Sequence, residues 1–301
     1  MTPTSKPRAY TALLSAMLVW GFSFLAIKHV IVVVPVFSLL FVRFLLATLV
    51  LGAIVWNRRA FRLPRRDMWL LAGLAALSPV GYFFFETYGV ALTQPSHVAV
   101  LIATIPIAVY LIAFVRKQER ARWLKTLGIL VAYVGVILMI GFGQSEEGAS
   151  LWGDLLVLGA VVCAAARTSL IKDALTRITP LQLTFYQFLF SLLVFGPLAA
   201  TDGAAWIGQL TALAILEILF LGIICSAAAF LALHYALSHL AATQVAVTAN
   251  LVPVVTLLAE VTILGSLLTL PKVGGTLLVV LGVVLTQITT TPDRTSIIVE
   301  G

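Results

Sequence analysis

Charge is scarce in this 301-residue chain: charged residues make up 10% of it, against about 25% in ordinary soluble domains. Long polar stretches are missing too, which leaves no room for a separate water-soluble domain. Cysteine is limited to Cys163 and Cys225, both inside apolar runs, so they read as small buried thiols rather than a disulfide or a metal site. There are four histidines, and the sequence has no HExxH, no GxSxG, no paired Asp-rich motif, no Cys/His cluster and no nucleotide-binding P-loop. These absences argue against an enzyme, a bound metal and direct ATP hydrolysis, and no cofactor is expected.

What the chain has in excess is apolar surface, with 61% hydrophobic residues and a mean hydropathy of +1.10. A helix needs about 20 such residues to cross a hydrocarbon layer roughly 30 Å thick. Polar and turn-rich breaks separate segments near 10–28, 35–56, 68–92, 96–115, 123–142, 152–171, 179–200, 211–236, 242–266 and 272–290. The length and continuity of these runs exclude strands. The expected fold is an all-α membrane protein of ten transmembrane helices. Its expected partners are the lipid bilayer and a small-molecule substrate, and it is compatible with a monomer or a weak dimer. The net charge of +7 does not indicate nucleic acid, because the bases sit in short loops rather than on one surface. The opening MTPTSKPRAY lacks a short apolar region with a small-residue cleavage site and is expected to stay as a basic tail.

The basic residues also predict orientation. Lys6 and Arg8, then Arg58, Arg59, Arg62, Arg65 and Arg66, then Arg116, Lys117, Arg120, Arg122 and Lys125, then Lys172, Arg177 and Arg294 all fall on one side. Only Lys28 and Lys272 fall on the other, while Arg43 and Arg167 lie within spans. The asymmetry predicts that both termini are cytoplasmic.

Two segments share a pattern: HVAVLIATIPIAV, from His97, and QVAVTANLVPVV, from Gln244. A single offset pairs Pro106 with Pro253, Tyr88 with Tyr235, Lys125 with Lys272, Gly128 with Gly275 and Gly135 with Gly282. Nearer the start, a slightly different offset pairs Lys28 with Lys172, Phe41 with Phe185 and Phe44 with Phe188. Five spans is an odd number, so the second copy enters the membrane from the opposite side. The prediction is two inverted five-helix repeats, 1–143 and 144–301, around a central cavity. Halves of like fold and opposite orientation can exchange conformations, which argues for a carrier rather than a static pore.

Several stretches carry a family resemblance. KQERARWLKTLGILVAYVGVIL after span 4, and LVPVVTLLAEVTILGSLLTLPKVGGTLLVVLGVVL over spans 9 and 10, resemble the paired halves of EamA-type transporters of the drug/metabolite transporter superfamily. LVWGFSFLAIKH in span 1 and FVRFLLA in span 2 are similar to it as well. The resemblance implies an inner-membrane location and, frequently, export of amino acids or related metabolites. The family commonly has Gly-Glu after span 9; here Gly265 and Ser266 stand there, whereas the first half keeps Glu119.

The expected function is therefore outward movement of small amphipathic metabolites by alternating access. A channel-like facilitator and a drug efflux carrier are the alternatives, with a membrane-embedded enzyme behind them. Pro106 and Pro253 remove backbone donors near mid-membrane and are candidate hinges. His97 and Thr104 on span 4, with Gln244, Thr248 and Asn250 on span 9, are candidates to line a polar pocket near them. Glu86, one turn beyond Tyr82, is a candidate for binding a substrate ammonium or carrying a coupling proton. Trp20, Phe24 and Tyr82, along with Tyr88, are candidate apolar or cation-π walls. Arg43 suits a structural ion pair or a substrate carboxylate. Arg167 is expected to snorkel to the nearby interface, and His234 and His239 to be solvated. Glu217 and Glu260 are expected to line an outer vestibule or reach the interface.

Overall fold

The computed structural model describes residues 5–57, 62–115, 123–143, 150–175, 177–240, 245, 248–249 and 251–288. They fold as α1 (Ser5–Val30), α2 (Val36–Asn57), α3 (Arg65–Leu92), α4 (Pro95–Ile102), α5 (Ile105–Val115) and α6 (Trp123–Gly143). After these come α7 (Leu151–Leu175), α8 (Pro180–Thr201), α9 (Ala212–His239), α10 (Leu251–Leu264) and α11 (Leu270–Ile288). No strand occurs among the described residues. Seven helical stretches are long and apolar enough to cross a membrane, and three shorter apolar helices accompany them.

Local chemistry sets several boundaries. At the start of α8, the Thr179 hydroxyl accepts from the Gln182 amide at 3.3 Å, and the Gln182 side chain accepts from the Thr179 amide at 3.2 Å, with Pro180 in the first turn. Gly265, at φ +67°, ends α10 in a conformation that suits glycine. The run expected to be one span over 96–115 is broken between α4 and α5. The ring of Pro106 would clash with the carbonyl of Ile102, four residues back, and α4 ends at that residue. The Thr104 hydroxyl donates to the Leu101 carbonyl at 2.5 Å, which also accepts the Thr104 amide at 3.0 Å.

Two further interruptions lie inside α3 and α9, where π-type turns occupy Ala76–Gly81 and Phe220–Ala228. In the first, Ser78 is extended, with φ −156° and ψ 123°. Such turns leave carbonyls without their usual helical partners, and other helices reach in to meet them.

Neighbouring helices are held by close packing, since lipid offers apolar side chains nearly as good an environment as protein does. α6 lies along α11, where a Cβ added to Gly135 would stand 2.7 Å from the Gly275 carbonyl oxygen. One added to Gly282 would stand 2.5 Å from the Gly128 carbonyl oxygen. α2 packs on α8 and α9, α7 on α3, α4 and α5, and α1 on α9 and α10. Phe44, Phe83, Phe188 and Phe230, from four different helices, fill the space between them with ring centroids 5.2–5.7 Å apart. Outward-facing surfaces are apolar, as with Leu130, Val134 and Ile137 on α6. Trp56, Trp69, Trp123 and Trp152 are each about three-quarters exposed at helix ends, where an amphipathic ring sits between hydrocarbon and water.

Candidate functional site

Three polar groupings lie within the apolar bundle. The first surrounds the π turn of α9. Ser226 donates to the Leu221 carbonyl at 2.8 Å, and its hydroxyl oxygen accepts from Arg43 Nε of α2 at 2.7 Å. The Arg43 guanidinium lies 4.3 Å from the centre of the Phe83 ring, and its Nη1 has no hydrogen-bond partner although the side chain is buried. Trp20 of α1 donates its indole N–H to the Cys225 carbonyl at 3.0 Å and stands edge-on to Phe230. Across from these, Glu86 of α3 is buried and accepts the Thr87 hydroxyl at 3.1 Å. Glu86, Arg43 and Tyr82 interact electrostatically. A buried acid, a buried base and aromatic faces thus meet where two helices are interrupted.

The second grouping joins α1, α3, α4, α7, α10 and α11. Lys272 Nζ is 3.0 Å from Glu260 Oε1 and donates to Gln94 Oε1 at 2.9 Å. The other Glu260 oxygen accepts the Ser96 amide at 3.2 Å, so a carboxylate meets the N-terminus of α4, where the helix dipole favours negative charge. One turn away, Asp154 accepts from Thr93 at 2.9 Å and from His97 Nδ1 at 3.2 Å, with all three side chains buried. Lys28 donates to the carbonyls of Val90, Ala91 and Thr93 at 2.9–3.1 Å and so caps the end of α3. This layer ties the ends of six helices together.

The third grouping joins α7, α8 and α9, with a bond to the break in α3. Arg167 Nη2 donates to Gln187 Oε1 at 3.1 Å and to His234 Nε2 at 2.6 Å. A guanidinium can only donate, so His234 accepts at Nε2 and carries its proton on Nδ1, from which it donates to Thr184 at 2.7 Å. Thr184 in turn donates to the Pro180 carbonyl, and Gln187 Nε2 donates to the Ser78 carbonyl at 3.1 Å.

The profile of the EamA-like transporter family matches residues 7–141 and again residues 151–288. The chain belongs to that family. A protein of Archaeoglobus fulgidus named an uncharacterized transporter is 30% identical over 252 residues, which cover 83% of this chain and 86% of its own. The uncharacterized transporter YcxC of Bacillus subtilis is 25% identical, over 92% of this chain and 91% of its own. A probable terminal-alkyne amino-acid exporter of Streptantibioticus cattleyicolor is 28% identical, over 90% of both chains. A solved crystal structure with 18% identity covers 96% of this chain and 98% of its own at a TM-score of 0.66, which shows a shared fold. The chain is a multi-pass membrane transporter and not an enzyme.

Within this EamA-like transporter the sequence candidates separate. Trp20, Tyr82 and Glu86 come together around the π turn of α9, whereas Phe24 is buried in the apolar core. His97 belongs to the Asp154 layer, and Thr104 bonds the end of α4. Thr248 is half-buried and Pro253 buried, while Gln244 and Asn250 lie outside the described residues, as does Glu119.

Several expectations are corrected. Arg167 does not snorkel: it is 7% exposed and bonded inward, to Gln187 and His234 on neighbouring helices. His234 is buried rather than solvated. Glu260 is buried beside Lys272 rather than lining a vestibule or reaching the interface, since each provides the other's counter-charge. Sequence reasoning missed Ser226, Gln187 and Asp154 altogether. Asp154 alone carried a signal, as an acid one turn into an apolar run.

Proposed function

We propose that this chain is a secondary transporter that moves small amphipathic metabolites, amino acids or related compounds, outward by alternating access. In this reading it spans a bacterial-type inner membrane as ten helices in two inverted repeats, with both termini cytoplasmic. Support for the repeat comes from α6 and α11. The contact of Gly135 with Gly275 and that of Gly282 with Gly128 are the same contact with the halves exchanged. Arg43, which bonds the Ser226 hydroxyl, and Gln187, which bonds the Ser78 carbonyl, stand at paired positions of α2 and α8, and each ties its helix to a break in a helix of the other half.

The observation that carries the substrate class is the buried Arg43 and Glu86. Arg43 uses Nε on Ser226 and keeps Nη1 unpartnered, while Glu86 takes one neutral hydroxyl. A zwitterion could match both, with its carboxylate toward Arg43, its ammonium toward Glu86 and its side chain on Trp20, Tyr82 and Phe83. The relative named as an amino-acid exporter agrees with this class. The layer around Lys272, Glu260, His97 and Asp154 then closes one end of the path, and Pro106 with Pro253 marks where helices flex.

Proteoliposomes test the reading. Labelled amino acids should exchange with saturable kinetics and show countertransport, and Glu86→Gln should slow that exchange. Flux that never saturates would identify a channel, and absence of countertransport for every amino acid tried would refute the carrier.

A further inference from the structure

Among the described residues, Arg167 is a buried cation with only neutral partners. A guanidinium stays charged in a protein, and removing it from water is costly unless an opposite charge or a full set of acceptors replaces the lost solvation. Here the acceptors are one amide oxygen and one imidazole nitrogen, both on Nη2, and Nε has none. Among the described residues no carboxylate is paired with Arg167 or electrostatically coupled to it. The dipole at the C-terminus of α7 gives little help, since that effect fades within one turn and Leu175 is two turns away. The surrounding bonds are nevertheless well directed. Thr184 fixes the His234 tautomer, and Ser78 fixes the Gln187 amide, so both acceptors are held toward the guanidinium.

The geometry points to Arg167, with Gln187 and His234 as its positioning residues, as an anion subsite for a carboxylate-bearing ligand. The ligand's carboxylate supplies the missing counter-charge and an acceptor for Nε. Phe230, whose ring lies 6.2 Å from that of His234, gives the ligand an apolar surface. Phe230 also touches Trp20 and Phe83, so the same ring borders the Arg43 grouping. At a rise of 1.5 Å per residue, Arg167 lies roughly 12 Å from the end of α7 that precedes α8, and Arg43 roughly 21 Å from the end of α2 that precedes α3. Under the orientation proposed above both ends are cytoplasmic. Arg167 is then the shallower station, which an outgoing carboxylate meets before it reaches Arg43. Only this order of loading rests on the transporter reading; the anion subsite does not.

The test is a binding measurement on the full-length protein purified in a neutral detergent, with sodium benzoate as probe and benzamide as its uncharged counterpart. Benzoate should raise the unfolding temperature and benzamide should not. Arg167→Gln should weaken benzoate binding about 10- to 100-fold, the range for a hydrogen bond to a charged group. His29→Ala, at an exposed ion pair outside the three polar groupings, should leave benzoate binding unchanged. If Arg167→Gln fails to run as a monodisperse peak, Arg167→Lys replaces it, because a point charge does not reproduce the fork, and a loss of at least threefold is expected. Equal shifts with benzoate and benzamide, no shift with benzoate, or benzoate affinity unchanged in the Arg167 variant would each overturn the assignment. Benzoate binding that depends on Arg167, in a protein that shows no countertransport in liposomes, would keep the subsite and remove the carrier reading.

Discussion

Replacing Lys272 with methionine leaves Glu260 without its cation. The pair is 3.0 Å apart and each side chain is 2% exposed, so water does little to soften the loss. Removing one member of a buried ion pair costs about 3–5 kcal/mol. Glu260 retains the Ser96 amide at 3.2 Å and the attraction of Lys28, which places the expected loss near the lower bound, at about 3 kcal/mol. Glu260→Gln is milder, at about 2 kcal/mol, because Lys272 keeps the Gln94 oxygen at 2.9 Å and the new amide oxygen can still accept. Removing both charges, as Lys272→Met with Glu260→Leu, should return stability to within about 1 kcal/mol of the original, since an apolar pair of similar volume replaces a desolvated one. The assay is unfolding of the full chain in one detergent, followed by tryptophan fluorescence, with Lys272→Met, Glu260→Leu and the double variant analysed as a double-mutant cycle. Additive losses would refute the argument, because they would mean that the two charges do not compensate each other.

Two further outcomes follow from packing and exposure. Gly282→Val should separate α6 from α11 and cost about 1–3 kcal/mol by overpacking, whereas Gly274→Ala, with nothing within 4 Å of the added carbon, should have little effect; thermal unfolding reads both. His29→Ala removes an ion pair to Glu217 whose side chains are 53% and 19% exposed, and it should change stability by less than about 1 kcal/mol in the same measurement.

The apolar segments were legible from composition because each is long and uninterrupted, and the start of α8 was legible because Thr179 and Pro180 announce it. The break in α3 left a trace, Pro79 within ALSPVG. The π turn of α9 left none. Nothing in FLGIICSAA marks an interruption, and the carbonyl it presents at Cys225 is met by Trp20, 205 residues away in the chain. Arg167 and His234 were misjudged for the same reason. Each was measured against the nearest helix end, and what holds both is a partner on another helix. Glu86 stood out because a lone acid in an apolar run is costly wherever it folds, but Ser226, which anchors Arg43, is an ordinary residue until the helices meet.

The tryptophans at the helix ends have a consequence for the choice of membrane. Trp56 and Trp69 flank one loop, and under the ten-helix topology proposed above Trp152, at the start of α7, stands at the opposite end of the bundle. Rings anchored at two levels set a vertical gauge, and α2, at 22 residues, spans roughly 33 Å between them. In a thinner bilayer the helices must tilt to keep both levels at the water boundary, and in a thicker one the lipid must thin around them. Lipid chain length therefore acts on helix tilt, and through tilt on how the two halves lean against each other, without touching a single polar group in the interior.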